Sequence, residues 1–262
     1  MTPQIEALAR AAGPAAFWAV GSADAVHAAH PGPEGDADPA DAPDGWGTPV
    51  EAGDLTAVLA LWPVIGRLVA QGELTLHTPL TAYGTAPSAG LPAGTTAHHL
   101  LTRGDGPAPL AALTRLAEHL ADTPLADCAH SRVWQPLGMT RTRFAAGTLR
   151  TCPADLARFL RHLLSTADEP VPRAWTAESL RIRTGELTPS RGLLWHPAPA
   201  GVWTHHPPSG SGPGVWISPR QGRWAVLVPG AGAVAAGPPR AAFREAAFGS
   251  APARAARGAD VR

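Results

Sequence analysis

Few residues in this chain could do chemistry, and few of those suit one another. Asp54 opens the run Asp-Leu-Thr-Ala-Val-Leu-Ala-Leu-Trp-Pro-Val-Ile-Gly-Arg-Leu-Val-Ala-Gln, which is apolar nearly all round. That pattern predicts a buried helix from Asp54 to Gln71, with Gly72 as its natural C′ residue and a kink at Pro63. A carboxylate at such a position has two readings. As an N-cap it contributes about 1 kcal/mol by accepting from a backbone N–H two or three residues on. The helix N-terminus also favours its ionised form, which makes it a poor proton donor near neutral pH. As a site residue, Asp54 is a candidate catalytic carboxylate at the mouth of a cleft.

His205 and His206 are the other candidates, as a general base or, with His196, as a metal site. Adjacent strand residues point to opposite faces, so at most one of the pair faces a given cleft. The strong zinc spacings are missing, so neither a metal nor another cofactor is expected. Around the catalytic candidate His205, the residues Trp203, His206, Ser209 and Ser211 are the candidates for ligand contact. The two serines lie in Ser-Gly-Ser-Gly, which is no Gly-x-Ser-x-Gly elbow, so an α/β-hydrolase triad is unsupported. Asp36, Asp38, Asp41 and Asp44 fail the calcium-loop spacing. Trp62, Trp134 and Trp216 fall at apolar positions and read as core.

Two absences narrow the chemistry further. All 21 basic residues are arginine, so the chain contains no lysine, and Tyr83 is its one tyrosine. Cys128 and Cys152 are widely spaced and read as buried thiols.

These residues must be positioned by the elements around them. A short helix over 5–12 is followed by apolar runs at 15–20 and 25–29, split by Gly21-Ser22-Ala23-Asp24, which predict two strands and a turn. Residues 31–47 read as a loop. Helical patterns continue at 96–102, 108–121, 125–134 and 153–164. After Pro170 the pattern returns to strands at 192–196, 201–205, 214–218 and 224–228. A last helix covers about 239–248, and the tail from 250 to 262 reads as disordered. Strands at both ends with helices between predict an α+β fold, an antiparallel sheet built from both termini with a helical lobe inserted. The chain then forms one two-lobed domain, with an α/β lobe at about 1–53 and 170–249 and a helical lobe at about 54–169.

Composition closes other classes. In 262 residues, 45% are hydrophobic and 16% charged, as in a globular protein, and the formal net charge is zero. No electrostatic footprint for nucleic acid or an anionic membrane follows from that balance. No stretch reads as a membrane span. No basic and apolar leader opens the chain, so a cytoplasmic location is expected.

Four phrases carry a resemblance: Leu68-Val-Ala-Gln-Gly-Glu-Leu-Thr-Leu-His-Thr-Pro-Leu80, His99-Leu-Leu-Thr-Arg103, Val133-Trp-Gln-Pro-Leu-Gly-Met-Thr-Arg-Thr-Arg-Phe144 and Ala154-Asp-Leu-Ala-Arg-Phe-Leu160. In these the chain resembles the serine β-lactamase, penicillin-binding protein and esterase superfamily, above all its class C-like branch. The resemblance implies a five-stranded antiparallel sheet flanked by helices, with a reduced helical lobe across the cleft. It also implies acyl chemistry from a serine at the N-terminus of the central helix, activated by a lysine one turn on. Asp54 stands where that serine belongs and Ala57 where the lysine belongs. The place of the family's Tyr-x-Asn falls near Asp105-Gly106-Pro107, and Tyr83 lies in a segment resembling a structural loop. The Lys/His-Thr-Gly strand motif survives at best as His205-His206-Pro207, where proline removes the N–H that strand-type binding uses. A shortened segment between Phe144 and Cys152 trims one cleft wall.

The function expected from these residues is that of a catalytically degenerate relative: a scaffold, a regulatory protein or a small-molecule binder, with a ligand or a protein as its partner. The alternative is a repurposed enzyme of small-molecule biosynthesis, performing cyclisation, isomerisation or acyl transfer with Asp54 and His205 in the old cleft.

Overall fold

The short apolar runs near both chain ends build one sheet. The computed structural model describes residues 5–8, 16–30, 49–103, 106–187, 189–205, 212–229 and 237–249. Its strands are β1 (Phe17–Ser22), β2 (Val26–His30), β3 (Val50–Glu51), β4 (Arg143–Ala145), β5 (Thr148–Thr151), β6 (His196–Ala198), β7 (Val202–His205), β8 (Gly214–Ser218) and β9 (Arg223–Val228). Six of them form an antiparallel sheet in the order β2-β1-β9-β8-β7-β6, so the N-terminal hairpin is continued by the C-terminal strands. This is one strand more than the five expected, because β6 pairs with β7 at the sheet edge.

The strand period of two gives the sheet two buried faces. Phe17, Ala19, Ile217 and Val226 join the main core, whereas Trp18, Val20, Trp216 and Leu227 join a second cluster with Phe243 and Phe248 of the C-terminal helix. Gly21 opposes Trp224 across β1 and β9, where a Cβ would lie 2.5 Å from the indole. Only glycine lets that ring, whose Nε1 donates to Ser22 O at 2.8 Å, cross the strand.

The helices are α1 (Trp62–Ala70), α2 (Thr85–Ser88), α3 (Ala97–Arg103), α4 (Pro107–Ala121), α5 (Leu125–Ala129), α6 (Pro153–Leu164), α7 (Arg173–Ser179) and α8 (Gly237–Phe248). The central helix is not uniform. It enters through a 3-10 turn at Gly53–Leu55 and a π-helical turn at Ala57–Leu61 before becoming α1. The disturbance therefore precedes Pro63 rather than kinking the helix after it. Proline lacks an N–H, so the Leu59 carbonyl four residues back gains no helical partner from it. That carbonyl accepts instead from Trp134 Nε1 at 2.8 Å.

Further aromatic contacts fix α1 in the core. Trp62 donates through Nε1 to Ser179 Oγ at 2.9 Å, and its carbonyl accepts from Trp175 Nε1 at 3.0 Å. Trp195 packs edge-on to Trp62 with centroids 5.9 Å apart. The 18 residues Gly53–Ala70 are long and apolar enough to cross a membrane, contrary to the sequence expectation, but 67% of that stretch is buried inside the fold. Its hydrophobicity serves the core.

Two segments differ from the sequence pattern. Arg173–Ser179 is a helix in a stretch to which the sequence pattern assigned no element, its inner side set by buried Trp175, Thr176 and Ser179. Residues 192–195 are not a strand: Leu194 has φ +63° and its N–H donates to Leu101 O at 2.8 Å. The loop at 31–47 and the tail at 250–262 lie outside the described residues.

A second, three-stranded sheet, β3-β5-β4, lies against α6 in sequence. Its hairpin turns at Ala146 and Gly147, both with positive φ, as a two-residue turn between twisted strands requires. Asp155 at the start of α6 is fully buried and accepts from Arg141 N–H and Thr142 Oγ1, at 2.9 and 2.8 Å. Arg158 pairs with its other oxygen at 2.8 Å.

Candidate functional site

Asp54 sits in the 3-10 turn that opens the central helix, but it does not cap it. The cap position is Ala52, no side chain bonds there, and Gly53 takes φ +52° to turn the chain into the helix. Thr56 Oγ1 donates to Gly53 O at 2.7 Å. The Asp54 carboxylate is exposed and has no hydrogen-bond or ionic partner among the described residues. The N-cap reading therefore fails by register, because the cap position falls two residues earlier. Ala57, one turn on, is buried in the core.

His205 ends β7 and reaches this turn. Its Nδ1 lies 2.7 Å from Leu194 O and its Nε2 3.1 Å from Asp54 O. Buried at 7% exposure, the ring stacks with His196 at 6.5 Å between centroids and meets Trp195 edge-on at 6.4 Å. The two catalytic candidates from sequence are thus brought together, but through the backbone of Asp54 rather than its carboxylate. A neutral imidazole has one N–H for two carbonyls, and the imidazolium donates to both.

Trp203 shares the β7 face of His205 and is half-buried. It lines a cavity of about 580 Å³ that includes neither Asp54 nor His205. His206, Ser209 and Ser211 lie outside the described residues, as does Pro207. Of the Tyr-x-Asn place, Asp105 is likewise outside, while Gly106 and Pro107 cap and begin α4. Tyr83 is spent elsewhere: its hydroxyl accepts from Thr75 N–H at 2.8 Å and lies 3.3 Å from Thr75 O.

Other nucleophile and ligand candidates are closed by their surroundings. Burial pushes the Cys152 thiol up to about 11, with Asp155 adding to it, and burial likewise raises Cys128. Neither forms a thiolate readily near neutral pH. The His77 and His98 rings lie 4.7 Å apart at a tilt of 34°, and burial first, then His77, His99 and Arg183, hold His98 below its ordinary value. Among the described residues, no three His, Cys, Asp or Glu side chains gather as a metal site.

Sequence reasoning missed Leu194 and Trp195 as neighbours of His205. Both sit in the segment read as a strand, and a leucine at positive φ leaves no signal in the sequence. The Trp195 indole N–H is buried with no acceptor among the described residues.

No protein-family model and no curated protein matches the chain. Solved structures do. A penicillin-binding protein from Bacillus halodurans aligns with TM-score 0.66 and 14% identity over 92% of this chain and 98% of its own. A β-lactamase from Mycobacterium bovis aligns with TM-score 0.64 and 19% identity over 87% and 91%. A D-stereospecific amidohydrolase from Streptomyces sp. gives TM-score 0.67 and 16% identity over 95% and 99%. The chain has a β-lactamase/transpeptidase-like α+β fold. Its structural neighbours are hydrolases of that fold, and at these identities the likeness is one of architecture.

Proposed function

We propose that this protein is a non-acylating relative of the β-lactamase-like hydrolases, one that binds a small molecule or a protein partner instead of turning over an acyl substrate. The observation that carries this reading is the fate of the histidine at the cleft. His205, where the resembled frame places a strand lysine or histidine, has its ring between the carbonyls of Leu194 and Asp54. No lysine exists anywhere in the chain to take over activation of a nucleophile. The one tyrosine hydroxyl is held by a loop backbone. A ring engaged at both nitrogens has no free position from which to accept a substrate proton.

A second reading rests on Asp54 itself. Its exposed, unpartnered carboxylate at the head of the central helix supports a repurposed site for cyclisation, isomerisation or acyl transfer. Rates with a chromogenic cephalosporin and with p-nitrophenyl butyrate separate the two. The non-acylating reading expects buffer rates from the native chain and from Asp54→Asn alike. A rate that Asp54→Asn abolishes would overturn it in favour of the repurposed site.

A further inference from the structure

The cavity beside Trp203 has a chemical character of its own. It opens between the C-terminal end of α6, helix α7, the start of β7 and the turn between β8 and β9. Arg173, Arg181 and Arg220 stand in its wall, and no acidic side chain does. Arg181 is shared with Glu178 at 3.0 Å, and Glu178 also pairs with Arg183. Arg173 and Arg220 have no acidic side-chain partner among the described residues. Of the two acids just before it, Asp168 spends Oδ1 on the Arg173 backbone N–H at 2.9 Å, and Glu169 pairs with Arg67.

This positive charge is local, since the whole chain is neutral. The same wall also has apolar members, among them Leu164, Leu180 and the half-buried ring of Trp203. A volume of about 580 Å³ falls in the range that holds small organic ligands. Guanidinium forks match carboxylate and phosphate oxygens in pairs, and an indole offers a flat face to a planar body.

We propose that this cavity binds a small organic anion, a carboxylate or phosphate on a planar apolar body. Arg173 and Arg220 hold the head group, and the body lies against Trp203. Asp54, Leu194 and His205 are not among its wall residues, so the site stands whether or not the cleft is catalytic.

Calorimetric titration of the full chain tests this with 2-naphthoate, 2-naphthyl phosphate and the neutral 2-naphthamide. At least one anion binds saturably at one site, the amide does not, and the tighter anion names the head group. Arg173→Gln/Arg220→Gln weakens binding by about tenfold or more, and added KCl weakens it in the native chain. Both arginines are exposed, so the variant keeps the native melting temperature; Arg220→Gln alone, in a hairpin turn, serves as a milder second variant. Binding of neither anion, equal binding of the amide, or undiminished binding by the variants would overturn the proposal. None of these outcomes bears on hydrolysis in the cleft, so the two readings fail separately.

Discussion

His205 and Asp54 meet through the backbone: the imidazole Nε2 lies 3.1 Å from the Asp54 carbonyl while Nδ1 lies 2.7 Å from that of Leu194. The ring therefore clamps the end of β7 to the first turn of the central helix and to the Leu194 bend. Removing it leaves two carbonyls and a gap beside Trp195. His205→Ala is expected to lower unfolding free energy by about 2 kcal/mol, read from the urea midpoint. A loss below about 0.5 kcal/mol, the scale of a surface substitution, would show that the clamp is not structural.

Asp155 makes a comparable tie in the helical lobe. Its buried carboxylate joins α6 to Arg141 and Thr142, and Arg158 neutralises it. Asp155→Ala strands those donors without an acceptor, at a cost of about 3 kcal/mol. The check is chemical denaturation; Asp155→Asn, which keeps an acceptor oxygen, should recover part of the loss.

Gly66→Ala reverses the usual helix preference. In an exposed helix the change would stabilise by about 1 kcal/mol, but here the new Cβ would lie 2.2 Å from Trp175 Cδ1. Overpacking dominates, and the variant should lose about 1–3 kcal/mol with altered near-ultraviolet circular dichroism. A higher melting temperature would contradict the packing of Trp175 over α1.

Stability should fall in mild acid. Burial holds the His162 imidazole below its ordinary value of 6.5, against a weaker upward pull from Val171, Glu169 and Asp168. His98 is lowered in the same direction, by burial first. Between the folded values and about 6.5 the unfolded chain binds more protons, so stability rises with pH across that window. It is complete above 6.5 and lost as pH falls through the folded values. Urea midpoints at about pH 7.5 and about pH 5.5 measure the slope, and His162→Gln should flatten it. A midpoint independent of pH would contradict the burial of these rings.

Much of the fold was legible because its core elements are apolar runs bounded by turn residues. The apolar runs in Phe17–Ser22, Gly214–Ser218 and Arg223–Val228, and the one after Asp54, follow directly from a sheet buried on both faces and a buried helix. Two of the resemblance phrases proved to be bonded to each other through Asp155 and Thr142, which gives a physical reason for their pairing. The failures lie where local signals are weak. Arg173–Ser179 is a helix of 7 residues, too short to show a period, and the Ala146-Gly147 turn lacks the usual Asn-Gly signature. At the candidate site, the sequence placed Asp54 and His205 in one cleft and read Asp54 either as an N-cap or as a site carboxylate. The cap falls at Ala52, two residues earlier, and the Asp54 carboxylate lies in solvent. The Leu194 bend that receives His205 depends on a positive φ that no pattern of residue types announces.

The central claim is that the cleft forms no acyl-enzyme. Intact-mass spectrometry of the full chain after exposure to a fluorescent penicillin and to a fluorophosphonate tests it most directly. The account predicts an unchanged mass with both reagents. A stoichiometric adduct mapping to a serine or to Asp54 would contradict it.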